Sequence, residues 1–154
     1  MSLLSIIVPC LNEEEALPFF YEAIRETIGD MQARWPELSF ELLFIDDGST
    51  DHTLEEVRRL QEKGGRIHYV SFSRNFGKEA AILSGTSHTS GTYVCYIDAD
   101  LQQSPEVALE MYRRLQKNPD LDCVAAFQES RREDRVLTFF KDSFYQLINK
   151  VSDT

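Results

Sequence analysis

This 154-residue chain is short of cysteine, of positive charge and of long apolar runs, and each shortage excludes something. Its three cysteines, Cys10, Cys95 and Cys123, lack zinc-site spacing, and an odd number cannot all pair internally. They sit in apolar runs and read as buried free thiols of a reducing compartment. No run reaches the roughly 18 apolar residues of a transmembrane helix. No basic segment followed by an apolar one opens the chain, so no signal peptide is expected. Sixteen Lys and Arg against 26 Asp and Glu leave a net charge of −10. That balance argues against nucleic acid as a partner and against adhesion by charge to an anionic membrane; the simple reading is a soluble, cytosolic surface. Gly-x-Gly-x-x-Gly is missing, and so is Gly-Lys-Ser/Thr, which removes the dinucleotide fingerprint and the P-loop. Repeats and low-complexity linkers are also missing, and the length suits one domain with a real core.

What is present is an alternation of two periods. Leu3–Val8, Phe40–Ile45, Ile67–Phe72, Thr92–Ile97 and Cys123–Phe127 read as strands. Between them, helices are predicted over Glu14–Arg34, Thr53–Lys63 and Lys78–Ser84, and from Ser104-Pro105-Glu106 to about Lys117. The last has a Ser cap and Pro at its first position. Asp46-Asp47-Gly48-Ser49-Thr50-Asp51 is a polar turn holding candidate caps for the helix at Thr53. Strand–helix alternation predicts an α/β fold with a largely parallel sheet, whose ligands bind at the carboxyl ends of the strands.

Three polar clusters follow three of these strands: Pro9-Cys10-Leu11-Asn12-Glu13-Glu14, Asp46 to Asp51, and Asp98-Ala99-Asp100-Leu101-Gln102. With 11 Asp in the chain, about one Asp-x-Asp arises by chance, and Asp120-Leu121-Asp122 is read as a solvated turn. Asp98 and Asp100 differ because they end an apolar strand and because a parallel sheet brings all three clusters to one edge. Crowded acids repel one another without a cation or a donor-rich ligand. A divalent cation prefers carboxylate oxygens and would hold a diphosphate there. Asp47 could accept from a nucleobase N–H, while the backbone of Pro9 to Asn12 could hold base and ribose. Turn and cap chemistry is the alternative for Asp46 and Asp47.

Ser5 to Glu14, Phe44 to Asp51, Ser73-Arg74-Asn75-Phe76-Gly77-Lys78 and Tyr96 to Gln102 together resemble family 2 glycosyltransferases, in particular the polyprenyl-phosphate sugar transferases. The resemblance covers nearly the whole chain. It implies a GT-A-type α/β fold and inverting transfer from a nucleoside-diphosphate sugar, with a UDP-sugar favoured over a GDP-sugar. It implies a polyprenyl-phosphate acceptor, no nucleic acid, and leaves a homo-oligomer open. Asp98, Asp100 and Gln102 would surround Mg2+ or Mn2+. Pro9, Leu11, Asn12, Glu13, Asp46, Asp47, Lys78, Asp98 and Ala99 would bind the nucleotide-sugar, and Asp98, Asp100 and Arg131 would be catalytic. Such proteins usually continue well beyond this length, so residues 1–154 are expected to be the catalytic domain of a longer protein, truncated at its C-terminus. The full-length protein would work at the cytoplasmic face of a membrane.

A phosphate acceptor is already anionic and needs no general base, whereas a sugar hydroxyl needs one. Positive groups must hold the phosphate, and Arg74, Lys78, Arg131 and Arg135 are candidates, with Arg132 beside them. The alternatives are a saccharide hydroxyl acceptor, with Glu129 as base, and a non-catalytic nucleotide-sugar-binding module. The segment Val136–Asn149 has a broad apolar helical face, read as packing against protein rather than membrane because basic residues on its polar face are few. His52, His68 and His88 show no ligand spacing and receive no role.

Overall fold

Two neighbouring strands, β1 (Ser2–Cys10) and β2 (Leu38–Asp46), read as near-continuous apolar runs because both of their faces are covered. The computed structural model describes residues 2–100, 102 and 104–126. Within these residues β3 (Ile67–Ser71) and β4 (Tyr93–Tyr96) flank that pair, giving a four-stranded sheet of order β3-β2-β1-β4. Every pairing is parallel: Ser2 faces Leu38 and Cys10 faces Asp46, while Asp46 also faces Ser71 and Ile7 faces Tyr96. Four helices complete the fold, α1 (Leu17–Arg34), α2 (Thr53–Glu62), α3 (Lys78–His88) and α4 (Glu106–Lys117).

Period-two alternation sorts the strand side chains into two layers. Leu4, Ile6, Val8, Phe40, Leu42 and Phe44 pack with Leu17, Phe20, Ile24 and Met31 of α1, Val57 and Leu60 of α2, and Tyr112 of α4. The opposite face, through Ile7, Leu43 and Ile45, packs on Ala81 of α3. Gly85 makes the close approach of α3 feasible, since a Cβ there would lie 2.4 Å from Ile7 Cγ2. Ser5 Oγ donates to Glu41 and accepts the Gly91 N–H at 2.9 Å, so the loop entering β4 is tied to a partly buried polar pair.

The chain steps outward from β1 to β2 to β3. Helix α3 then carries it back across the opposite face to β4, on the far side of β1. The order therefore reverses between β1 and β4, which marks the crevice at their carboxyl ends as the place for a ligand.

Most predicted elements are found. Helix α1 begins at Leu17 instead of Glu14, because the Glu13 and Glu14 N–H groups go to Thr53 Oγ1 (2.7 Å) and Asp51 Oδ2 (3.3 Å) in the neighbouring loop. Helix α3 runs to His88, one turn beyond the predicted end. Helix α4 starts one residue later than expected, at Glu106 with Pro105 in the cap position, and Ser104 Oγ accepts the Glu106 N–H only at 3.4 Å. The strand predicted over 123–127 is not formed in its described part. Residues 123–126 carry no ladder and Cys123 is exposed. A short apolar run is ambiguous by pattern alone, and this one stays unpaired although β3 and β4 are edge strands. Cys10 is buried as expected and Cys95 half-buried, whereas Cys123 is not buried.

Candidate functional site

The loop after β1 and the loop after β2 are laced together by side chain–backbone hydrogen bonds. Asn12 takes φ 57°, a left-handed conformation that Asn tolerates. Its N–H donates to Ser49 Oγ (3.0 Å), and its Oδ1 accepts the Thr50 N–H (2.9 Å). Asp51 Oδ1 accepts the Thr53 N–H (3.0 Å) at the start of α2. Glu14 accepts both the N–H and the ring Nδ1 of His52, each at 2.8 Å. These contacts make one rigid rim of two loops.

Asp46 and Asp47 stand side by side at the end of β2, yet the structure gives them different work. Asp46 is buried, accepts the Ser49 N–H (3.0 Å) and the Ser71 hydroxyl (2.8 Å), and so ties its own turn to β3. Asp47 is also buried, and it opens onto the crevice. Its Oδ1 accepts the Phe76 N–H (2.7 Å) and its Oδ2 the Gly77 N–H (2.9 Å), which pins the β3–α3 loop at the start of α3. The same loop is held from below at Gly48, whose φ is +72° and whose Cβ, if present, would lie 2.3 Å from the Arg74 carbonyl carbon. Only glycine satisfies both conditions. The Arg74 guanidinium stacks over the Phe76 ring, 4.3 Å from its centroid.

After β4 the alternation of burial continues. Ile97 and Ala99 enter the core, while Asp98 is half-buried and Asp100 exposed. That alternation turns Asp98 toward the start of α3, where Lys78 Nζ lies 2.7 Å from both of its carboxylate oxygens. Asp100 Oδ1 accepts the Gln102 N–H at 3.0 Å. Glu13 completes the acid group: burial pushes its carboxyl above the usual range, and the charges of Asp100, Asp51 and Asp98 push the same way.

Together these elements enclose an open crevice of about 310 Å³ at the β1–β4 reversal. Pro9, Cys10, Leu11 and Glu13 line it from β1, Asp47 from β2, Asn75, Gly77, Lys78 and Ala81 from α3 and its loop, and Asp98 and Asp100 from β4. Of the residues singled out in the sequence, Pro9, Leu11, Glu13, Asp47, Lys78, Asp98 and Asp100 are thus brought together. Asn12, Asp46, Ala99 and Gln102 are not among the lining side chains; Asn12 and Asp46 hold loops, and Ala99 is core. Arg131, Arg132, Arg135, Glu129 and the segment 136–149, expected to be helical, lie outside the described residues. Sequence reasoning missed the Lys78–Asp98 pair and the grip of Asp47 on the loop, because 20 and 29 residues separate the partners and no local pattern marks them.

Among the described residues no three His, Cys, Asp or Glu side chains are arranged to hold a metal ion by themselves. Asp98 and Asp100 both line the crevice, and two carboxylates are a donor set of the kind a hard divalent cation takes. Mg2+-type ions commonly take one or two carboxylates and complete their shell with phosphate oxygens and water.

The parallel sheet with a carboxylate-lined crevice at its reversal point is an α/β architecture, and the glycosyltransferase structures it aligns with make it a fold of the GT-A type. Residues 5–152 match the family described as Glycosyl transferase family 2, and the chain belongs to that family. The bactoprenol glucosyl transferase of Shigella phage SfX is 38% identical over 153 residues, covering 97% of this chain and 47% of that protein. Among solved structures, the mannosyltransferase PcManGT from Pyrobaculum calidifontis, in complex with GDP-Man and Mn2+, aligns with TM-score 0.63 and 25% identity over 80% of this chain and 35% of its own. S. aureus TarS 1-349 in complex with UDP shares the fold, with TM-score 0.58 and 19% identity over 86% of this chain and 40% of its own. The chain spans about half the length of the curated relatives it matches.

Proposed function

We propose that the full-length protein is an inverting glycosyltransferase that moves a sugar from a nucleoside-diphosphate sugar to a polyprenyl phosphate at the cytoplasmic face of a membrane. The observation that carries this reading is the crevice itself, in which Asp47, Asp98, Asp100 and Lys78 converge at the sheet reversal. The likeness to a bactoprenol glucosyl transferase supports the lipid acceptor.

Among the described residues, four carboxylates, Glu13, Asp47, Asp98 and Asp100, face the crevice with one lining ammonium, Lys78. A diphosphate would be repelled there unless a cation accompanied it. Asp98 and Asp100 would hold Mg2+ or Mn2+, which supplies screening of the diphosphate and stabilisation of charge on the departing nucleoside diphosphate. The Mn2+ recorded with PcManGT supports this choice. Pro9, Leu11 and Asp47 line the part of the crevice assigned to base and ribose. For the base we take uridine over guanosine. Similar solved structures hold GDP-Man and UDP, so competition between UDP and GDP on this protein is the direct comparison. The lipid phosphate attacks as an anion, without a general base. Arg131 and Arg135, with Arg74, are the groups to hold it, Lys78 being left to the donor diphosphate.

The test is transfer of radiolabelled sugar by the full-length protein, offered polyprenyl phosphate beside free oligosaccharide. Label is expected in the lipid. Asp100→Ala should abolish metal-dependent donor binding and transfer, Asp122→Ala should do little, and Arg131→Ala should weaken acceptor use more than donor binding. Label only on oligosaccharide overturns the lipid-phosphate reading, and unimpaired Mn2+ and donor binding by Asp100→Ala overturns the metal assignment.

A further inference from the structure

Lys78 is placed where the cation is needed. It opens α3, just after Gly77, whose N–H is gripped by Asp47 and whose φ is +98°. Its Nζ lies 2.7 Å from both oxygens of Asp98, the less exposed of the two candidate metal carboxylates. A lysine at a helix N-terminus faces the positive end of the helix dipole, so the helix does not favour it. What holds the ammonium there is Asp98. The pair is only partly buried, with side chains 51% and 30% exposed, so it is weak enough to exchange.

We propose that Lys78 is a positioning residue that makes metal and donor bind together: its ammonium occupies Asp98 until a divalent cation arrives with a diphosphate, and then passes to the diphosphate. This rests on the donor and metal reading above. A bare cation must displace Lys78 and leave it facing a second cation in an acid-lined crevice. A cation bound to diphosphate offers Lys78 new anionic oxygens, so the exchange replaces one ion pair with another. The consequence is a coupling between cation and nucleotide that is reciprocal by linkage. Pinning of the loop by Asp47 is what keeps Lys78 within reach of both partners.

The test is Mn2+ binding followed by electron paramagnetic resonance and calorimetry, on the parent and on Lys78→Met and Lys78→Arg, each without nucleotide and with UDP or GDP. The parent should bind bare Mn2+ weakly and bind it more tightly with one of the nucleotides. Lys78→Met should bind bare Mn2+ about five-fold more tightly than the parent, the factor set by removal of a partly exposed ion pair. It should also lose most of the tightening by nucleotide. Lys78→Arg should keep the parent's pattern, and equal melting temperatures would show that the exposed substitution leaves the fold intact. Bare Mn2+ affinity in Lys78→Met equal to or below the parent's overturns the exchange while leaving the metal reading standing. A parent that binds neither Mn2+ with UDP nor Mn2+ with GDP overturns both.

Discussion

Asp47→Ala is the substitution that most sharply separates fold from ligand at this site. The carboxylate is buried and accepts two backbone N–H groups, from Phe76 at 2.7 Å and Gly77 at 2.9 Å. Hydrogen bonds to a charged acceptor are worth about 1.5–3 kcal/mol each. Phe76 is exposed and Gly77 half-buried, so water can reach the freed N–H groups, and the loss should fall to about 2–3 kcal/mol in all. For a chain of this size that corresponds to a fall in melting temperature of roughly 6–9 °C. Hydrogen exchange at the Phe76 and Gly77 amides should accelerate, with exchange in β1 and β2 changing only by the global loss. Asp47→Asn keeps one acceptor and should lose about half as much; it should also weaken nucleotide affinity by about 1–3 kcal/mol. All stability measurements are made without ligand, so nucleotide contact cannot contribute. If ligand-free Asp47→Ala melts and exchanges like the parent, the carboxylate does not hold the loop, and its burial belongs to ligand binding alone.

Three further outcomes follow from the same coordinates. Gly48→Ala combines a φ of +72° with a Cβ 2.3 Å from Arg74 backbone and should destabilise by about 2 kcal/mol more than Gly64→Ala, which has φ +87° in open space; urea unfolding compares them. Cys123, being exposed, should alkylate first in the native protein; Cys95, pushed by burial to about 11, and Cys10, pushed higher by burial and then by Glu13 and Asp46, should stay thiols at neutral pH, with mass spectrometry reading the order. His52 is raised by its hydrogen bond to Glu14, and Glu14 is lowered by the His52 backbone and ring donors, so the pair's contribution is present in full between the ordinary values of 4.5 and 6.5. It is lost as pH rises through the folded His52 value or falls through the folded Glu14 value. Glu14→Gln should lower the His52 NMR midpoint, and an unmoved midpoint would mean the contact does not persist in solution.

The α/β class, the parallel sheet and the edge where chemistry gathers were legible in the amino-acid pattern alone. Those follow from local physics: β1 and β2 are near-continuous apolar runs because both faces are covered, and the polar clusters gather where these strands end. Asp98 and Asp100 were legible for the same reason, being carboxylates directly after an apolar strand. Only the tertiary structure separated Asp46 from Asp47. The two are adjacent and alike in sequence, yet alternation at the strand end turns one toward Ser71 and the other toward the crevice and the α3 loop. Only the tertiary structure could pair Lys78 with Asp98, because the crossover of α3 from β3 to β4 brings its first residue to the end of β4. Residues 123–126 show the converse: their apolar pattern is strand-like, but a short apolar run does not record whether it finds a pairing partner, and here it forms no ladder.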